Sequence, residues 1–136
     1  MSAVPPVSQR QPRWPGAAAG IAGASAVVLG ALGAHALQGK LAPAMLDAWQ
    51  VAVRFQFWHA LALVACALLV RRSHAAYLGA LLFASGIVLF CGSLYALALG
   101  APSMLGVLTP LGGLCFIVAW IALGVALFRQ SSRTGP

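Results

Sequence analysis

A chain of 136 residues that is 62% hydrophobic and only 7% charged is not a soluble domain, in which about 25% of residues carry charge. Its formal net charge of +7 does not make it a nucleic-acid binder, because that reading needs basic residues gathered on one water-facing element. Here the basic residues are spread over the ends and connections of long apolar runs, the pattern of a multi-pass membrane protein.

The N-terminal "SAVPPVSQRQPRWPG" is rich in proline and polar residues, and residues 1–13 read as a disordered cytoplasmic tail. The transmembrane domain spans 14–128. Its first apolar run, 14–37, starts at Pro15, whose fixed φ suits a first helical turn, and ends near Gly39, a C-cap residue. Ala34-His35-Ala36 has the small-x-small look of a signal-peptidase site. The run before it, however, exceeds the usual 7–15 residues of a signal peptide, so it is expected to remain as the first span.

The second run, 43–70, opens at Pro43 and measures about 42 Å at the helical rise, more than a bilayer core. Its start, Met45 to Ala52, is therefore expected in the outer headgroup layer with Trp49 as an interfacial anchor. The third run covers 75–99 and the fourth 105–128, leaving 129–136 as a second cytoplasmic tail. Small residues recur every fourth position at Gly16, Gly20 and Ala24, at Ala26, Gly30 and Ala34, and at Ala80 and Ala84. Such ridges let helix backbones approach closely in lipid.

Every second connection is basic. Arg10 and Arg13 precede the first run, Arg71 and Arg72 separate the second from the third, and Arg129 and Arg133 follow the fourth. The other loops hold only Lys40 and Asp47, with Arg54 nearby. By the positive-inside rule both termini are cytoplasmic. The fold class is all-α, a four-transmembrane-helix bundle. Cys66, Cys91 and Cys115 lie within apolar runs without CxxC spacing and read as small buried residues.

Depth follows from counting at about 1.5 Å per residue from the cytoplasmic arginines. Arg54 lies roughly 25 Å above Arg71 and His59 roughly 18 Å, close to the midplane. His35, Ser93, Tyr95 and Thr109 fall near the same outer boundary as Arg54. Two readings stay open: a shared polar site facing the bundle interior, or an arginine snorkelling to the headgroups beside an ordinary boundary tyrosine. A midplane histidine cannot snorkel, so His59 is expected to be neutral and hydrogen-bonded, with Gln56 three residues away able to share its face. It is either structural or a ligand- or proton-handling residue. Asp47, the only acid, suits a local role at a helix start. A gapless match of "ASAVVLGALGAHAL" (24–37) to "ASGIVLFCGSLYAL" (84–97) suggests a weak parallel repeat that would pair His35 with Tyr95.

Four ordered motifs, "GALGAHAL" (30–37), "AVRFQFWHALAL" (52–63), "GSLYALAL" (92–99) and "LTPLGG" (108–113), resemble the YgdD-like family of small four-helix bacterial membrane proteins. That family is a domain of unknown function with mitochondrial relatives. The resemblance spans about Gly16 to Phe128. It implies that Gly33, His35, Arg54, Gln56, His59, Gly92, Ser93, Tyr95, Thr109, Pro110, Gly112 and Gly113 occupy family motif positions, and that the chain lies in a bacterial plasma (inner) membrane. It implies no activity. The chain departs from the family at Ala42, where a serine commonly precedes the proline, and at Gln50, where an acid is common. The first change removes a helix cap and the second a carboxylate partner for Arg54.

These readings favour a non-enzymatic bundle that binds a lipid headgroup, small anion or partner helix at an outer-leaflet polar layer. Arg54 is its anion contact, since a planar fork of donors suits phosphate or carboxylate. His35, Gln56, His59, Ser93, Tyr95 and Thr109 are the other candidate ligand-binding residues, and Gly33, Gly92, Gly112 and Gly113 the positions of close helix packing. The alternative is a small-solute or proton-coupled transporter using His59 and Arg54, though the spans lack the carboxylate that cation export normally uses. No catalytic residue, metal or cofactor is expected. His35 and His59 differ in depth by about half the membrane core, and the cysteines lack ligand spacing. Membrane lipids, a second copy of the chain or another membrane protein are the expected partners, and nucleic acid is not.

Overall fold

The computed structural model describes residues 12–132. Residues 1–11 and 133–136, with most of the expected N-terminal tail and the end of the C-terminal one, lie outside the described residues. Among the described residues four helices are long and apolar enough to cross a membrane: α1 (Trp14–Ala36), α2 (Pro43–Leu69), α3 (His74–Ala98) and α4 (Ser103–Ser131). α4 starts with a 3₁₀ turn over Ser103–Val107 and continues through Arg129 to Ser131. Residues 129–131 are therefore helix rather than tail, and Arg129 sits in the last turn, where a cation meets the negative end of the helix dipole.

Local chemistry explains the ends. Pro15 and Pro43 stand in first turns, where a missing N–H costs nothing. Ala42 supplies no side-chain cap to α2, whereas the Ser73 hydroxyl accepts from the Ala76 amide at the start of α3. Gly39 and Gly100 follow α1 and α3 with φ of 72° and 92°, a conformation that a Cβ opposes. α1 and α3 each contain a π turn, over Leu32–Ala36 and Ile87–Cys91. These turns stand at different places within the two segments that align as a repeat, so the alignment does not carry into local geometry.

The helices form an up-and-down bundle in which α1 packs on α2, α2 on α3 and α3 on α4. α2 and α4 meet only sparsely. The interior is built of small residues: Ala19, Ala22, Ala26 and Gly33 on α1, Ala52, Ala60 and Cys66 on α2, Gly79, Ala80 and Gly86 on α3, and Gly112, Ala119 and Ala126 on α4. Large aliphatic side chains such as Ile21, Leu68, Val88 and Ile117 point outward. In lipid no hydrophobic force pulls leucine inward, and close backbone approach is the chief packing gain.

The small-residue ridges proposed from spacing need correction. Gly16, Gly20, Ala24 and Ala34 are exposed, and the packed face of α1 runs instead through Ala19, Ala22, Ala26 and Gly33. Among the expected close-packing glycines, a Cβ on Gly112 would stand 2.4 Å from the Phe90 backbone nitrogen and one on Gly33 2.8 Å from the Trp49 ring. Gly113 makes only ordinary contacts. A Cβ on Gly92 would meet nothing within 4 Å, so that position is not one of close packing. Ala80 is buried as expected, and Gly86, unremarked in the sequence, would drive a Cβ to 2.5 Å from Phe116.

Candidate functional site

The polar residues fall into three arrangements. The first is a closed node centred on Gln56. Its amide nitrogen donates to the Ala22 carbonyl at 2.9 Å and to the Ser25 hydroxyl at 2.7 Å, and its amide oxygen accepts from the Tyr95 hydroxyl at 3.0 Å. One side chain thus ties α2 to both α1 and α3. Trp49, about two helical turns above, donates its indole N–H to the Leu29 carbonyl at 2.9 Å and sets its ring edgewise to Tyr95 at 4.7 Å. Trp49 is only 4% exposed. It is a packing lock between α1, α2 and α3 rather than an interfacial anchor, and glycine at 33 leaves it the room it fills.

The second arrangement joins α3 to α4. The Ser93 hydroxyl donates to the Phe90 carbonyl at 3.0 Å and lies 2.7 Å from the Thr109 hydroxyl. With its single proton on Phe90, Ser93 accepts from Thr109.

The third is open. Where α2 and α4 diverge, a groove of about 490 Å³ is lined by Arg54, Phe55, Trp58, His59 and Trp120. It adjoins a second, apolar hollow of about 580 Å³ that shares Phe55, His59 and Trp120 and extends past Pro110, Gly113 and Leu114. Arg54 is exposed and, among the described residues, makes no hydrogen bond or ion pair. His59 is held rigidly: its Nδ1 lies 2.6 Å from the Phe55 carbonyl, and its ring stacks on Phe116 with centroids 3.5 Å apart and planes 6° from parallel. A carbonyl only accepts, so Nδ1 carries the proton. Gly86 is what lets Phe116 lie flat against the bundle beneath that ring.

The candidate residues therefore do not share one site. Gln56 meets Tyr95, Ser93 meets Thr109, and Arg54 and His59 line the groove. His35 lies exposed in the α1 π turn and makes no hydrogen bond among the described residues. Gln56 and His59 also part company: Gln56 faces α1 and α3, while His59 faces Phe83 and Phe116. Ser25, Phe116 and Trp120 complete these arrangements and were not singled out from the sequence, and Trp49 was expected only as an interfacial anchor. Trp49 and Ser25 carried a usable signal, since a buried glutamine demands partners and an indole N–H in an apolar interior demands an acceptor. Among the described residues no three His, Cys, Asp or Glu side chains gather closely enough to hold a metal ion.

Comparison with known proteins places these residues in a family. A UPF0382 membrane protein of Bacillus subtilis (strain 168), YwdK, is 46% identical over 76% of this chain and 87% of its own length. UPF0382 membrane proteins of Staphylococcus aureus and Staphylococcus saprophyticus are each 42% identical over 76% of this chain and cover 86% and 88% of their own lengths. No solved structure matches. The family model described as "Protein of unknown function (DUF423)" matches residues 29–113, a stretch that holds Gln56 and Tyr95 but not Ala22 and Ser25 of the node, together with the serine–threonine pair and most of the groove. This chain, a multi-pass helical membrane protein, belongs to the DUF423/UPF0382 family.

Proposed function

We propose that this protein is a non-enzymatic membrane-embedded binder of an anionic lipid headgroup or small anion, with Arg54 as the anion contact, set in a bacterial plasma membrane with both termini in the cytoplasm. The observation that carries the reading is Arg54 itself. It is a permanent cation with five donors on a transmembrane helix, it lines an open groove, and among the described residues it has no partner. A charge in a span is costly, and its usual remedy is an opposite charge within the protein. Here that remedy is left to a ligand. Phe55, Trp58 and Trp120 give the groove a broad apolar wall suited to an amphiphile rather than a hydrated ion.

The test compares Arg54→Lys with Arg54→Gln in purified protein, reading retained anionic lipid by native mass spectrometry. Lysine keeps the charge but loses the planar fork, so both variants should retain less lipid than the wild type. A lysine variant that matches the wild type would make Arg54 a snorkelling anchor. Flux of a small solute or protons in proteoliposomes, abolished by His59→Gln, would favour the transporter reading instead. Topology is read separately. A cysteine placed within residues 100–104 should react with an impermeant thiol reagent added outside, and labelling of residues 2–9 would invert the assignment.

A further inference from the structure

Beside Arg54 the groove holds a second unsatisfied polar atom, His59 Nε2. His59 is only 7% exposed, yet it lines both hollows. Its Nδ1–H is committed to the Phe55 carbonyl. Phe116 covers one ring face, and Phe83, Phe55 and Trp120 stand around it with centroids 5.7, 5.7 and 6.2 Å away. The ring cannot turn to find another partner. Nε2 makes no hydrogen bond among the described residues, and Gln130 Oε1 is the one fully enclosed side-chain polar atom there without a partner. Nε2 is therefore accessible, and the groove is what it opens on. A neutral ring with its proton on Nδ1 presents a lone pair at Nε2, an acceptor seeking a donor.

That acceptor discriminates among anionic lipids. Below its phosphate an ordinary diacyl phospholipid carries two ester groups, which only accept, and none of them can satisfy a lone pair. A single-chain lysophospholipid carries a free glycerol hydroxyl at that level, which donates. Arg54 and His59 are five residues apart on α2, about 7.5 Å along the helix axis, an interval that the long arginine stem bridges between a phosphate and the glycerol beneath it. The apolar continuation past Pro110, Gly113 and Leu114 gives one chain a course along α4. Each hollow, at about 490 and 580 Å³, lies in the lower half of the 300–1,000 Å³ typical of ligand pockets.

We infer that the groove selects a lysophospholipid, its phosphate on the Arg54 guanidinium, its free hydroxyl donating to His59 Nε2 and its one acyl chain along Gly113 and Leu114. This rests on the reading of Arg54 as an anion contact. The His59 bond adds a selectivity that the charge alone does not supply, because a site built around a ligand hydroxyl rejects the analogue that lacks it.

The experiment uses the full chain in mild detergent and three probes that share a bare phosphate: lysophosphatidic acid, its 2-deoxy analogue without the hydroxyl, and diacyl phosphatidic acid. Retention is read by native mass spectrometry, with quenching of Trp58 and Trp120 fluorescence as a second measure. The wild type should hold lysophosphatidic acid about tenfold more tightly than the deoxy analogue, the worth of one buried hydrogen bond, and more tightly than the diacyl acid. His59→Phe keeps the stack on Phe116 but has no acceptor, so it should lower lysophosphatidic acid to the level of the deoxy analogue. His59→Gln restores an acceptor and should recover part of the preference. Arg54→Gln should weaken all three probes alike. Equal retention of the three by the wild type, or a preference for the diacyl acid, overturns the lysophospholipid assignment while leaving the anion site intact. Failure to retain any of them overturns the Arg54 reading and this inference with it. Should His59→Phe not fold, the wild type's choice between lysophosphatidic acid and its deoxy analogue decides alone.

Discussion

Gln56 and Arg54 stand two residues apart on α2, about 200° around the helix, and meet opposite fates. Gln56 places both ends of its amide on partners from α1 and α3. Arg54 meets no partner among the described residues and lines an open groove. Within one helix the protein separates polar groups that hold helices together from polar groups left ready for something else. A saturated polar node in an apolar interior specifies one helix arrangement. An unsaturated one keeps an unmet demand that a ligand can meet, and the groove exists because α2 and α4 do not close over it.

Forcing apart the helix pair that supports both regions should have the largest effect. A Cβ on Gly112 would lie 2.4 Å from the Phe90 nitrogen and 2.9 Å from its Cα, and helix backbone cannot yield as a side chain tip can. Gly112→Ala should cost about 3 kcal/mol, the upper end of overpacking, read as a lowered melting temperature in detergent. It should also strip the groove of its α4 wall and so of bound lipid. Gly92→Ala is the control: a Cβ there meets nothing within 4 Å, and alanine is the better helix former. A Gly112→Ala protein as stable as the Gly92→Ala one would mean that α3 and α4 do not approach as described.

The next effect should confine itself to one side of the comparison. Gln56→Leu removes three interhelical hydrogen bonds, each worth on average about 0.6 kcal/mol in a membrane. A loss of about 2 kcal/mol in stability is expected, with retention of anionic lipid unchanged. If lipid retention falls while stability holds, node and groove have exchanged roles.

How much of this contrast was legible in the sequence depends on which coordinate is asked for. Position along each helix was legible, because a helix of fixed rise converts sequence separation into axial distance, as from Arg54 to His59 on α2. Rotation about each helix axis was not. A span whose every face is apolar has no hydrophobic face to orient it, so Gln56 could be set beside His59, and Gly16, Gly20 and Ala24 could be read as a packing ridge although they are exposed. The rotational signal was there in a different form. Alanine, glycine and cysteine mark the interior at three- and four-residue spacing, as in Ala19, Ala22 and Ala26, and the residues between them are largely outward-facing. The overlapping small-residue series on α1 left two faces to choose between, and only the partner demanded by Gln56 chooses.

A smaller effect sharpens the same division from the α3–α4 side. Ser93 and Thr109 pair through hydroxyls alone, 2.7 Å apart, and both are at least partly buried. Ser93→Ala, Thr109→Val and the double variant form a cycle whose coupling should be about 0.6 kcal/mol. Stability is the readout, and lipid retention should follow wild type in all three. A coupling near zero would make the pair a coincidence of proximity.

The smallest effect is expected where the charge is. In lipid-free detergent, Arg54→Gln should change stability by no more than about 0.5 kcal/mol, the ordinary range for a substitution that disturbs no contact, because among the described residues there is no partner to orphan. The contrast with Gln56→Leu is then complete: the neutral residue matters to folding and the charged one does not. Addition of a saturating anionic lipid should reverse the order. A ligand that binds only the folded protein raises its stability in proportion to the logarithm of its concentration over Kd, about 2.7 kcal/mol at a hundredfold excess. The wild type should therefore gain in melting temperature with added lipid, Gln56→Leu should gain equally from its lower start, and Arg54→Gln should gain little. An Arg54→Gln protein that is already destabilised without lipid would mean that the arginine serves the fold, and the division between node and groove would fail at its clearest point.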